Sequence, residues 1–167
     1  MSKRARVDER AQVHRQEDVD LEAVYREHGD RLWRALMAFT GDRGLADETV
    51  SEAFAQALRR GDQIRDPLRW VWRAAFRIAA GELQRSRGLP LAASAGSYED
   101  PEPPTDLLRA LAALSPKQRS SVLLHHYAGY PVNDVARIIG STSAAVRVHL
   151  LRGRRKLREL LEEQDDA

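Results

Sequence analysis

Cysteine is absent from the 167 residues, which excludes a disulfide scaffold and a thiolate metal site. Long apolar runs are missing too. No stretch approaches the ~20 consecutive apolar residues that span a bilayer, and residues 1–18 are polar and charged, without the apolar core of a signal peptide. Both absences point to a soluble, cytoplasmic protein with no membrane partner. No alternating run is long enough to argue for strands, and no internal repeat is present. Lysine is scarce: only Lys3, Lys117 and Lys156 occur, and every other basic residue is arginine, whose planar fork grips phosphates in two-point contacts. Nor is there a glycine-rich phosphate loop, a nucleophile elbow or a metal-ligand cluster. His125 and His126 are adjacent on a helix, so they do not face each other. No catalytic activity, cofactor or metal is therefore expected.

What is present is helical and unevenly charged. Hydrophobic residues make up 43% of the chain, enough for compact cores, and charged residues 31%. The formal net charge of +2 conceals a strong segregation. Residues 1–18 and 19–88 are each nearly neutral. Residues 89–106 carry four acids and no base, whereas 107–160 carry ten basic residues against Asp134 and Glu159. The stretch "GLPLAASAGSYEDPEPPTD" (88–106) holds four of the seven prolines and has no periodicity, the composition of a flexible tether. The expected organisation is all-α: a charged N-terminal extension (1–18), a helical module (19–88), an acidic linker (89–106), a basic helical module (107–161) and an acidic tail (162–167). A basic module beside an acidic linker has the electrostatic footprint of a nucleic-acid binder.

In the first module, "DLEAVYREHGDRLWRALMAFTGD" places apolar residues at 21, 24, 25, 32, 36 and 39. That is one helical stripe, interrupted at Gly29 and stopped at Gly41. "LADETVSEAFAQALRR" puts Ala46, Val50, Ala53, Phe54, Ala57 and Leu58 on one face. Asp47, Glu48, Ser51 and Glu52 line the other, near the helix start where the dipole favours acids. Pro67 is well placed as the first residue of a third helix. There Arg69, Arg73 and Arg77 recur every fourth residue as one basic ridge. A solvated face is the plainer reading of that ridge. Trp70 and Trp72 beside it favour strand contact, although tryptophans in helical bundles are mostly core or half-core.

In the second module, "SPKQ" (115–118) reads as an N-cap serine, a proline at the first helical position and a glutamine reaching back in a capping box. The helix it starts runs to about Tyr127 and ends at Gly129. "VNDVARII" then forms a short helix that breaks at Gly140, and Thr142 caps the next. Small Ala136, turn-forming Gly140 and Val146 have the spacing of a helix-turn-helix. Beyond it, "RVHLLRGRRKLREL" carries Arg147, Arg152, Arg154, Arg155, Lys156 and Arg158. At ~100° per residue, Val146, Leu150, Gly153 and Leu157 form the core stripe and the basic residues surround the exposed surface. The slim start of the helix (Ser143, Ala144, Ala145) suits entry into a major groove.

These stretches, in this order, resemble the extracytoplasmic-function sigma factors of bacterial RNA polymerase, within the sigma-70 family. "GDRGLADETVSEAF" is similar to the family's clamp-binding signature, "RWVWRAAFRIA" to its promoter-melting helix, and "LSPKQR … GYPVNDVARIIGSTSAAVRVHLLRGRRKL" to its fourth-region helix-turn-helix. The resemblance implies that Asp47, Glu48, Ser51 and Glu52 dock on the clamp of the largest catalytic subunit, with the flap of the second-largest subunit a further contact. It implies that Arg65, Arg69, Trp72, Arg73 and Arg77 meet the minus-ten element. It implies too that Ser143, Ala144, Arg147, His149, Arg152, Arg154, Arg155 and Lys156 meet the minus-thirty-five duplex. An anti-sigma factor is a further partner that the family admits. Family-typical residues are replaced at Thr49, Ser51, Arg77, Gly81, Ser141, Ala145 and His149. Two other readings stay open: a helix-turn-helix regulator that acts without polymerase, and a sigma mimic that binds polymerase or an anti-sigma factor without initiating.

Overall fold

The computed structural model describes residues 21–86 and 106–165. The expected N-terminal extension, most of the linker and the end of the acidic tail lie outside the described residues. Among the described residues seven α-helices follow one another: α1 (Leu21–Thr40), α2 (Arg43–Arg60), α3 (Pro67–Ser86), α4 (Asp106–Ala112), α5 (Pro116–Val122), α6 (Val132–Ile139) and α7 (Ser143–Asp165). A 3₁₀ turn (Gly61–Gln63) follows α2, and α5 runs on into one π-helical turn (Leu123–Tyr127). Among the described residues there is no strand.

Helices α1, α2 and α3 form the first module, each packed on the other two. The apolar stripe of α1 buries Leu32, Leu36 and Phe39. Gly29 does not interrupt this helix, contrary to the expectation from sequence: it is buried mid-helix, and a Cβ there would rest 3.5 Å from the Tyr25 ring. The ~1 kcal/mol that glycine costs a helix interior is outweighed by the apolar stripe continuing on both sides. Gly41 does stop the helix, at φ +71°. Asp42 caps α2 by accepting the Leu45 N–H at 2.9 Å. Leu58 is a second correction: it is 68% exposed, while its neighbour Ala57 is buried. Twelve residues beyond Ala46, it falls about a third of a turn off the stripe. Pro67 opens α3 as expected, with Asp66 accepting the Arg69 N–H at 3.1 Å. Phe76 lies 5.2 Å from the Phe39 ring and 6.0 Å from the stacked Trp72 ring.

The second module follows its local signals closely. Both hydrogen bonds of the Ser115–Gln118 capping box form. Gly140 ends α6 at φ 63°, ψ 47°, the left-handed conformation a tight turn needs. Thr142 caps α7 through the Ala145 N–H at 3.1 Å. Val146 and Leu150 are buried. Gly153 lets α7 approach α5 so closely that a Cβ there would stand 3.0 Å from Val122. Asp106, expected in the linker, is instead the first residue of α4 and pairs with Arg109 at 2.8 Å.

The two modules also pack together, with α3 against α6 and α1 against α4, α5 and the π-turn. Arg119 donates to the carbonyl of Phe39 at 2.5 Å, and Arg31 donates to the carbonyl of Tyr127. Arg69 pairs with Asp134 at 3.2 Å, and the Trp72 and Tyr130 rings meet edge-on at 5.9 Å. One apolar core therefore runs through both modules.

Candidate nucleic-acid interface

Two arginine-rich helices and one acidic helix face carry the candidate contacts. On α7, the buried stripe fixes what points outward. Arg147, Arg152, Arg154, Arg155 and Lys156 are exposed, and Ser143 and Ala144 stand at the open N-terminal end. The Ser143 hydroxyl donates to the Asn133 side chain at 2.7 Å, tying the start of α7 to α6. Lys156 donates to the Ala113 carbonyl at 2.7 Å, and Arg155 lies 3.8 Å from Glu159. The other arginines ring the helix surface with positive charge.

His149 is different. It is half-buried and lines a cavity of about 540 Å³ between the modules, together with Arg77, Lys117, Phe76, Leu83 and Ile138. Burial, and then the charges of Lys117 and Arg152, push its pKa below the usual imidazole value. His126 is lowered likewise, by burial, His125 and Arg154.

Along the axis of the outward face, two apolar residues stand among the charges. Val148 is 43% exposed and Leu151 64%. Measured at ~100° per residue, Val148 points almost directly away from the core stripe. The periodicity contained that signal.

On α3, Arg69, Arg73 and Arg77 are exposed on one ridge, with Arg65 in the turn before it. Arg69 is not idle: it lies 3.5 Å from Asp66 and 3.2 Å from the buried Asp134, which Arg137 also approaches at 3.4 Å. Trp72 is 3% exposed, held between Phe76 and Tyr130. With the modules packed as they are, Arg69 and Trp72 are thus engaged by α6 and the loop before it. Sequence reasoning could not find Asp134 or Tyr130 as their partners, because they lie about sixty residues away in the chain.

On α2, Asp47, Glu48, Ser51 and Glu52 are all exposed on one face. Asp47 accepts from the Trp33 indole at 2.6 Å. Hydrogen bonds from Gln56 and Arg59 hold the Glu52 carboxyl below the usual carboxylate range. The face is anionic, with Asp47 and Glu52 held in place. Among the described residues no group of three or more His, Asp or Glu could hold a metal ion, and no helix is long and apolar enough to cross a membrane.

A family model described as sigma-70, region 4, matches residues 105–157, which is α4 through most of α7. Over 158 residues the chain is 27% identical to the ECF RNA polymerase sigma factor SigL of Mycobacterium tuberculosis, covering 86% of this chain and 89% of SigL. It is 31% identical to the probable ECF RNA polymerase sigma factor SigI of the same species, covering 82% of this chain and 54% of SigI. Among solved structures it is similar to the sigma factor RpoE of Bartonella quintana, in complex with the anti-sigma factor NepR. That TM-score is 0.66 at 21% identity, covering 86% of this chain and 97% of RpoE. This last likeness shows the fold.

Proposed function

From its similarity to sigma-70 region 4 and to ECF RNA polymerase sigma factors, we propose that the chain is an extracytoplasmic-function sigma factor of the sigma-70 family, which binds core RNA polymerase and directs it to promoters through two DNA contacts. Sigma factors are transcription factors rather than enzymes, so the chemistry belongs to the polymerase. The observation that carries the reading is the surface of α7: a helix-turn-helix closed by Gly140 presents a cationic helix with a slim N-terminal end. In the minus-thirty-five major groove, Ser143 and Ala144 give close approach and Arg147 reaches base edges. Arg152, Arg154, Arg155 and Lys156 hold phosphates. His149 remains on the flank of this contact, toward α5.

Asp47, Glu48, Ser51 and Glu52 form the polymerase-docking face, since their anionic surface suits a basic clamp and repels DNA. The minus-ten element falls to Arg65, Arg69, Arg73 and Arg77, with Trp72 joining once it is uncovered. Reaching that element requires the modules to part, because Arg69 and Trp72 are engaged by Asp134 and Tyr130 in the packed form. Polymerase binding supplies the separation. An anti-sigma factor is the natural antagonist, as the RpoE likeness with bound NepR suggests.

The same engagement of Arg69 and Trp72 favours one second reading, a mimic that occupies polymerase or an anti-sigma factor without melting DNA. Selection separates the two. Core polymerase charged with the full chain is offered a library of duplexes randomised around both promoter elements. A sigma factor enriches paired motifs and opens the downstream one to single-strand reagents. A mimic binds core polymerase and enriches nothing.

A further inference from the structure

The outward face of α7 does not carry its charge along its centre. Ala144, Val148 and Leu151 are all exposed and share that face, with Arg147 on one flank and Arg152 on the other; Arg155 restores the charge one turn further on. A single exposed apolar side chain is ordinary. A continuous apolar strip bordered by arginines on a helix rich in positive charge is a built surface. We propose that Ala144, Val148 and Leu151 read thymine methyl groups in the major groove of the minus-thirty-five duplex, so that this strip sets which sequence is chosen. The proposal rests on the duplex-binding reading above and deepens it.

The chemistry of base edges leaves few alternatives. In the major groove guanine and adenine present acceptors, and adenine and cytosine present exocyclic N–H donors; only thymine presents a methyl group. An apolar side chain against the other edges strips water from groups it cannot hydrogen-bond, which is unfavourable. Against thymine it buries one carbon on another. The flanking arginines select the occupant of the face: they draw in a polyanion, and the groove of duplex DNA offers apolar methyls between two rails of phosphate. The strip runs over eight residues, seven rises or about 10 Å of helix, and so faces about three base-pair steps. It also lies at the N-terminal half of α7, the half that meets base edges in helix-turn-helix proteins.

Uracil tests this directly, since it differs from thymine only by the missing methyl. Holoenzyme assembled from core polymerase and the full chain selects its minus-thirty-five window from a randomised library, and each thymine in that window is then replaced singly by uracil. At one to three neighbouring positions, the replacement should weaken binding about fourfold, the worth of one buried methyl-sized group. Val148→Ser should abolish the uracil penalty at one of these positions, and Leu151→Ala at another, while the remaining penalties persist. Both residues are exposed, so the variants should keep the wild-type circular dichroism and melting temperature. A selected window without thymine, uracil that costs nothing, or variants that keep every wild-type penalty would each overturn the proposal while leaving duplex binding intact. If the variants instead lose core polymerase in a DNA-free capture assay, with uracil penalties unchanged, the strip is a protein contact and the proposal fails. If no window is enriched at all, the duplex-binding reading fails and takes the strip with it.

Discussion

Thr49 shows at one residue how function and stability meet. It is 1% exposed in the packed interior behind the acidic face of α2, and its hydroxyl is buried with no hydrogen-bond partner among the described residues. A buried hydroxyl without a partner is unfavourable by roughly 1–3 kcal/mol. Thr49→Val keeps the shape and removes the hydroxyl, so it should stabilise the chain by about 1 kcal/mol. Urea unfolding should show a higher midpoint with an unchanged slope; a lower midpoint would mean that the hydroxyl is satisfied. Arg147 allows a functional test at the same scale. If it reaches a base edge, Arg147→Ala relaxes preference at one promoter position by ~1–3 kcal/mol, whereas a phosphate contact would weaken every sequence alike and lower the salt dependence. Selection with the variant holoenzyme distinguishes the two: equal weakening at all sites, with no change in preference, contradicts the base-edge role.

At the scale of elements, the helices were legible wherever their signals are local. Pro67, the Ser115–Gln118 capping box, Gly140 and Thr142 act within one turn of themselves, so their residue types disclose the helix ends. Gly29 and Leu58 misled because a propensity and an approximate stripe were set against packing, and packing decides. Val148 was readable in the same angles that identified the core stripe of α7, but the charges around it dominated the reading. The contacts between modules were not legible, because Arg69 and Asp134 are 65 residues apart, and no local pattern pairs them. The acidic face of α2 is a prediction of the local kind. Two of its three carboxylates, Asp47 and Glu52, are held by Trp33, Gln56 and Arg59. Asp47→Arg combined with Glu52→Arg sets like charge against a basic clamp, a juxtaposition costly at an interface. The double variant should keep its helicity and fail to co-purify with core polymerase. Undiminished co-purification would remove this face from the docking surface.

For the whole molecule, the proposed function makes the packed arrangement of the modules a state that must be left. Tyr130 reports on it. Burial, and then the nearby carboxylates of Asp66 and Asp134, push its phenol up to about 12. The phenol pKa is raised above its unfolded value. The stability it contributes is therefore complete below pH ~10 and is lost as the pH climbs through about 12. In an alkaline absorbance titration of the four tyrosines, one should therefore ionise late. Paired substitution of Arg69→Ser and Asp134→Asn removes the ion pair across the joint, loosens the modules and should bring that late phenol into line with the others. A late tyrosine that persists in the open variant would show that its burial is local to the second module. The same variant should also hasten assembly with core polymerase, since the joint no longer has to be broken.

The central claim is that this chain confers promoter choice and opening on core polymerase. Run-off transcription from a linear template carrying the selected paired motifs tests it most directly, comparing core enzyme alone, core enzyme with the chain, and core enzyme with the Arg152→Ala, Arg155→Ala variant of α7. The account predicts a single discrete transcript only when the wild-type chain is present, and its strong reduction when the two phosphate contacts are removed. A chain that binds core polymerase yet yields no discrete transcript, or a transcript equally strong with the α7 variant, would contradict it.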